Sequence, residues 1–130
     1  MIFDTGFIID LMNKNAQALN KLQELMNKKE LQYITSLTIF ELFSGLSRSQ
    51  KPEEEKNKIT TILIGLPIFD LDNQCAELGG KLDGILIKEG KMIGAIDSMI
   101  AGIALIKNMP VLTRNIKDFS KIKGLKTETY

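Results

Sequence analysis

The stretch Ile93-Gly-Ala-Ile-Asp-Ser-Met-Ile-Ala-Gly-Ile-Ala-Leu-Ile-Lys-Asn-Met-Pro-Val-Leu-Thr-Arg-Asn-Ile-Lys-Asp-Phe119 decides how the rest of the chain is read. From Met99 to Ile106 it is apolar at every position, with small Ala101, Gly102 and Ala104 interleaved. A helix with no polar face must be buried, and small residues along it predict that a sheet approaches it closely. Lys107 and Asn108 predict its end, a cation at the negative pole followed by a residue that tolerates the left-handed conformation. After Pro110 comes a short apolar strand, Val111-Leu112, which stops at the polar Thr113-Arg114-Asn115. An acid, Asp97, therefore opens a buried helix, and a polar cluster closes the strand that follows it.

Working outward, the same alternation recurs. Met1-Ile2-Phe3 predicts a buried strand ending at Asp4, with Thr5 capping a helix that carries Phe7, Ile8, Leu11 and Met12. A second helix is predicted with Ala16, Leu19, Leu22, Leu25 and Met26 on one face. Tyr33-Ile34-Thr35 is the next strand, and Ser36 or Thr38 is the expected cap of a helix over Leu37–Leu46. Pro52 and the acids 53–55 suit a helical first turn. Gly65-Leu66-Pro67 breaks that helix before the strand Ile68-Phe69. Asp72 then caps a helix bearing Cys75, Leu78, Leu82, Ile85 and Leu86, and Lys126–Tyr130 predicts a frayed edge strand. Short apolar strands alternating with helices indicate an α/β fold, a parallel sheet covered on both faces.

Composition narrows the chemistry. At 130 residues the chain is one domain, 1–130, able to bury roughly two-thirds of its extended surface. Lysine plus arginine total 17 against 16 acids, a net charge of +1, so whole-chain charge selects no partner. There is no histidine, which excludes histidine acid/base catalysis and histidine-containing zinc sites. The single Cys75 cannot form an internal disulfide, and no apolar run reaches the roughly 18 residues that span a bilayer. A cytoplasmic location is the expectation.

Ligands of parallel α/β sheets bind beyond the carboxyl ends of strands, where strand order reverses. Asp4, Ser36 and Thr113 each follow a predicted strand. Asp4, Glu41 and Asp97 are then the acids expected to converge, with Asn115 and Asp118 beyond the strand Val111-Leu112. Carboxylates gathered from distant positions repel one another unless a cation lies between them. Without histidine, the natural ion is a hard, oxygen-loving one, Mg²⁺ or Mn²⁺. Such an ion keeps waters, which is the equipment for hydrolysing a phosphodiester. Blander roles compete: Thr38-x-x-Glu41 also fits a capping box, and Asp97 could merely complement a helix N-terminus. Asp10, Asp72 and Asp83 read as surface or capping residues.

The ordered motifs Ile2-Phe3-Asp4-Thr5-x-x-Ile8-Ile9-Asp10-Leu11, Ser36-x-Thr38-x-x-Glu41-Leu42-x-x-Gly45, Asp97-x-x-Ile100-Ala101 and Thr113-Arg114-Asn115-x-x-Asp118-Phe119 resemble the PIN domain, and within it the VapC toxins of toxin–antitoxin pairs. The resemblance covers nearly the whole chain. It implies a three-layer α/β/α fold with a five-stranded parallel sheet and an endoribonuclease dependent on Mg²⁺ or Mn²⁺. It also implies a homodimer and an inhibitory VapB-type antitoxin. By position, Asp4, Glu41 and Asp97 match the family's metal-site acids and Thr113 its strand-end hydroxyl, while Gly6 replaces a hydroxyl residue that would support Asp4. Thr5, Thr113 and Asn115 are the expected supporting polar groups, with Asn115 bonding Asp4 or a metal-bound water and Asp118 in an outer catalytic role. Arg114, Lys117 and Lys121 are expected on the RNA backbone, within a stretch that also holds Lys123 and Lys126. Leu37, Ile39, Phe40, Leu42, Phe43 and Leu46, together with Ile59, Ile62 and Leu63, are expected to offer an antitoxin groove. A partner-binding protein that keeps the fold without activity, and a receiver-like phosphoacceptor domain, are the alternatives.

Overall fold

The computed structural model describes all 130 residues, Met1–Tyr130. Its centre is β1 (Ile2–Phe3), whose two residues are almost wholly buried. On one side β1 pairs in parallel with β4 (Val111–Leu112), in the register Ile2↔Val111 and Phe3↔Leu112. On the other it meets the strand β2 (Ile34–Thr35) through a parallel bridge between Ile2 and Tyr33, closed by Phe3 N–H to the Tyr33 carbonyl at 2.8 Å and Tyr33 N–H to the Met1 carbonyl at 2.9 Å. β3 (Ile68–Phe69) pairs beyond β2, and β5 (Thr127–Glu128) beyond β4. The five parallel strands thus run β3-β2-β1-β4-β5, and the order reverses between β1 and β4.

Alternate residues of a strand face opposite sides of a sheet, so this sheet serves two cores. Phe3, Ile34 and Leu112 face one, filled by Phe7, Ile8 and Leu11 of α1 (Thr5–Met12), Ala18 and Leu25 of α2 (Ala16–Asn27), Leu42 of α3 (Ser36–Ser47) and Ile59 of α4 (Pro52–Leu63). Ile2 and Val111 face the other, with Cys75 and Leu86 of α5 (Asn73–Lys88), Ile100, Ala101, Ile103 and Ala104 of α6 (Ala95–Lys107), and Phe119 of the short α7 (Ile116–Phe119). The parallel sheet covered on both faces is as the strand–helix alternation predicted, and the five-stranded three-layer α/β/α architecture is as the family resemblance implied.

Several local readings change. The buried line of α2 is Ala18, Leu22 and Leu25, whereas Leu19 and Met26 are 44% and 57% exposed. Spacings of four and three residues carry one face, and Leu19 and Met26 fall beside it. Asp4, not Thr5, caps α1, accepting from the Thr5 N–H at 2.8 Å. Thr35, not Ser36 or Thr38, caps α3 by accepting from the Thr38 N–H, while the Ser36 hydroxyl accepts from the Leu71 N–H at 3.2 Å. The end of the chain is tied down: Tyr130 donates its hydroxyl to Asp10 at 2.6 Å, and its ring packs edge-on against Phe7.

The small residues of α6 also serve a different neighbour. Gly102 faces α5, where a Cβ at position 102 would lie 2.6 Å from the Cys75 carbonyl oxygen and 2.9 Å from the Gly79 nitrogen. A Cβ at Gly79 would in turn meet the Ser98 carbonyl at 3.1 Å. Two glycines facing each other let two helix backbones touch, and this contact sets the depth at which α6 presents Asp97. Gly102→Ala is therefore expected to cost about 2 kcal/mol or more, because backbone must move. Gly84→Ala, on the exposed face of α5 with open space around it, is expected to stabilise by about 0.5–1 kcal/mol. Chemical denaturation of both variants checks the pair of signs.

Candidate metal centre

The reversal of strand order brings the ends of β1 and β4 side by side, and each ends in a polar residue. Asp4 is aimed by its capping role, with one carboxylate oxygen taking the Thr5 N–H. The other oxygen accepts from the buried Thr113 hydroxyl at 2.7 Å, and that hydroxyl itself accepts from the Asn115 N–H at 2.9 Å. Burial raises the Asp4 pKa more than these two hydrogen bonds lower it. The site thus holds the Asp4 carboxylate less favourably than water would. A Cβ at Gly6 would come within 4.0 Å of the Asp4 oxygen that Thr113 serves, so Thr113 supplies support from the β4 side where Gly6 offers none.

Glu41 reaches the same region from α3. With Thr35 as the cap, Thr38 rather than Glu41 is third in the helix, so the capping-box reading of Glu41 falls. Glu41 instead accepts from the Thr5 hydroxyl at 2.6 Å. The Thr5 hydroxyl has one proton, and a carboxylate acceptor at that distance claims it. Thr38 must then be the donor in its 3.0 Å contact with Thr5. Thr38, fully buried, is a supporting group that sequence reasoning missed. Its position one turn before Glu41 was the available signal, but the capping box absorbed it.

Asp97 is the third residue of α6, so the helix N-terminus favours its charge. Even so its pKa is raised to about 7, first by burial and then by the negative charges of Asp4, Glu41 and Asp118. Asn115 opposes this by donating its side-chain amide to Asp97 at 3.3 Å, and the same amide donates to Asp118 at 3.0 Å. Asn115 therefore bridges Asp97 to Asp118 and does not touch Asp4, whose partner is Thr113. Asp118 is held below the usual carboxylate range by Asn115 and by Lys121 at 3.2 Å. No lysine or arginine pairs with Asp4, Glu41 or Asp97. No three acidic side chains are arranged to enclose one ion by themselves. The donor set suits a cation that takes one or two carboxylates directly and keeps its waters, as Mg²⁺ does.

Around this centre the expected basic residues divide. Lys117, Lys123 and Lys126 are exposed and make no ion pair; Lys121 serves Asp118, and Arg114 turns toward α1, 3.4 Å from Asp10. A groove of about 270 Å³ leads from Glu41 between α1, α3 and α4, past Ile9, Met12, Gly45, Leu46 and Ile59. It differs from the expected groove in its walls. Leu37 is turned into the α5–α6 core, and α1 supplies Ile9 and Met12 in its place. Phe40 and Phe43 are 63% and 43% exposed on α3. No helix is long and apolar enough to cross a membrane. Asp83, read as a surface residue, accepts from the buried Ser98 hydroxyl at 3.2 Å.

Comparison with known proteins places this geometry. Ribonuclease VapC2 of Rickettsia felis is 32% identical over 129 residues, 99% of this chain and 96% of that protein. The tRNA(fMet)-specific endonuclease VapC of Shigella flexneri is 32% identical over 97 residues, 75% of this chain and 74% of the relative. Among solved structures, VapBC2 from Rickettsia felis bound to a DNA fragment from its promoter superposes with a TM-score of 0.89 at 32% identity, covering 100% of this chain and 99% of the other. DNA-bound VapBC from Salmonella typhimurium gives 0.86 at 28% identity, covering 98% and 96%. The PIN domain matches residues 1–125, and the chain belongs to the PIN-domain family.

Proposed function

We propose that this protein is an endoribonuclease of the VapC kind, the toxin of a VapBC-type pair, which cleaves RNA with the help of Mg²⁺ or Mn²⁺. The observation that carries the reading is Asp97, whose proton is held to about pH 7 by burial and by three neighbouring carboxylates while no basic side chain pairs with it. The named relatives, a ribonuclease and a tRNA endonuclease, support the nuclease half of the proposal. The unneutralised acids support the metal half.

Asp4, Asp97 and Glu41 would hold the ion, directly or through its water. When bound, a divalent cation supplies an acidic water and neutralises charge developing on the scissile phosphate. Thr113 fixes one oxygen of Asp4 and leaves the rotation of that carboxylate no freedom. Thr38 orients Thr5, which in turn orients Glu41. Asn115 links Asp97 to Asp118 through one side-chain amide, and Asp118, lying outermost, would position attacking water. Lys117, Lys123 and Lys126, exposed and without an ion pair, would be available to contact flanking phosphates of a bound RNA.

The R. felis and Salmonella typhimurium structures are of VapBC bound to DNA, which supports an antitoxin partner. The groove leading to Glu41 would receive an antitoxin segment against the apolar wall of Ile9, Met12, Leu46 and Ile59. The family resemblance adds a homodimer acting in the cytoplasm.

Cleavage of RNA is expected to stop on addition of EDTA and to return with Mg²⁺ or Mn²⁺. Asp4→Asn and Asp97→Asn should reduce the rate by more than about 100-fold with unchanged circular dichroism. Asp118→Asn should cost about 10–100-fold, the range for an outer partner of a metal site, and be partly restored by excess Mn²⁺. Cleavage at the wild-type rate by either Asp4→Asn or Asp97→Asn would refute the assignment.

Stability should also depend on pH in a defined sense. Asp97 binds its proton more tightly in the folded state, so its stabilising contribution is fully present below its ordinary value of 3.8 and is lost as pH rises through about 7. Asp4, also raised, acts in the same direction. The lowered acids Asp118, Asp72 and Glu24 act below this window. The melting temperature of metal-free protein should therefore fall between about pH 5 and about pH 8. Asp97→Asn should flatten that fall, and Mg²⁺ should reverse it at the upper end.

A further inference from the structure

Beside the acids lies a second cluster that the reaction above does not use. Arg114, the residue after Thr113, extends away from the acids toward α1. Its Nε stands 3.4 Å from Asp10, and its terminal nitrogen donates to Gln17 at 3.1 Å and Asn15 at 3.3 Å. Its guanidinium carbon lies 4.8 Å from the centre of the Tyr130 ring, and Tyr130 donates its hydroxyl to the same Asp10 oxygen that faces Arg114. The cluster joins the last residue of the chain, the helix α1, the start of α2 and the turn after β4.

Its placement gives it a purpose. Thr113 and Arg114 are consecutive, and they bind the two ends of α1: Thr113 takes Asp4 at its cap and Arg114 takes Asp10 in its last turn. Between Thr113 and α7 the chain has no regular structure, and Asn115 caps α7 without a side-chain bond. The Asn115 amide is free to bridge Asp97 and Asp118, but only backbone geometry aims it. Phe119, buried in the core, holds the far side of that turn, and the near side is held by the Thr113 hydroxyl, which accepts from the Asn115 N–H at 2.9 Å, together with the Arg114 cluster. Ion pairs this exposed add little to global stability. A planar guanidinium gripped by several acceptors and an aromatic face does, however, fix direction.

We propose that Arg114, Asp10 and Tyr130 are positioning residues of the acid site, holding the turn Thr113–Asn115 so that Asn115 bridges Asp97 and Asp118. This rests on the metal-site reading above, and it assigns the Arg114 guanidinium to the protein's own turn in place of an RNA phosphate. The signal of the Asn115 side-chain amide in ¹⁵N–¹H spectra of the whole, metal-free protein reports the bridge directly. Arg114→Met and Asp10→Asn should each shift and broaden that signal and weaken Mn²⁺ binding about tenfold. Tyr130→Phe should produce a smaller shift in the same direction. Lys117→Met, two residues beyond that turn in α7 and without an ion pair, should leave the amide and Mn²⁺ binding unchanged. It should instead lower the salt dependence of RNA binding by about one counterion, which Arg114→Met should not do. An unmoved Asn115 amide in both Arg114→Met and Asp10→Asn overturns the proposal, as does a moved amide with wild-type Mn²⁺ affinity. Failure of the wild-type protein to bind Mn²⁺ counts against the metal-site reading itself, and the Asn115 amide alone then decides this proposal.

Discussion

The central strand holds two residues, Ile2 and Phe3, and both of its edges are paired, with Tyr33 on one side and Val111–Leu112 on the other. Because the order of strands reverses between β1 and β4, the residues after these two strands must lie together. That is why Asp4 and Thr113, 109 positions apart in sequence, share a 2.7 Å hydrogen bond. The other contributors arrive at the same edge by different means. Glu41 comes from the first turns of a helix that starts directly after β2, and Asp97 from the first turn of α6. The depth of α6 is set by Gly102 against Cys75 and Gly79, so a helix–helix contact on one face of the sheet adjusts an acid at its edge.

Assembling acids in this way is unfavourable for the isolated protein. Each carboxylate at the site has hydrogen-bond donors, and for Asp4 and Asp97 these donors do not offset burial. Hydrogen bonds to a charged group are worth about 1.5–3 kcal/mol, whereas desolvation and like charges act together. The donors are hydroxyls, backbone N–H groups and one amide, which orient a carboxylate without neutralising it. Ion pairing by lysine would have relieved the repulsion and occupied the site. Lys121 is spent on the outermost acid alone. A site so arranged keeps its charge available for a cation from solution.

Much of this was legible in the sequence. The all-apolar helix, the strands of two or three residues and the acids following them specified the layered parallel fold and the acids Asp4, Glu41, Asp97 and Asp118. Side-chain partners were not legible, because they depend on distances between segments. Asn115 and Thr113 were both expected near Asp4, and only the turn after β4 decides that Thr113 takes Asp4 while Asn115 takes Asp97 and Asp118. The caps of α1 and α3 each lie one residue or more before the expected position, since α1 is capped by the residue directly after β1 and α3 by the last residue of β2. Small residues of α6 were assigned to a sheet because periodicity shows that a face is tight, not what lies against it. Asp10 and Tyr130 looked like surface and fraying end, and their pairing across 120 positions leaves no local mark.

The central claim, that these acids form a cation site, is tested most directly by titrating the metal-free protein with Mn²⁺ near neutral pH and following the free ion by electron paramagnetic resonance. The account requires saturable binding accompanied by proton release, because Asp97 is partly protonated near pH 7. It also requires affinity to fall about tenfold or more in Asp97→Asn. Binding of equal strength in the wild type and in Asp97→Asn, or none in the wild type, would contradict it.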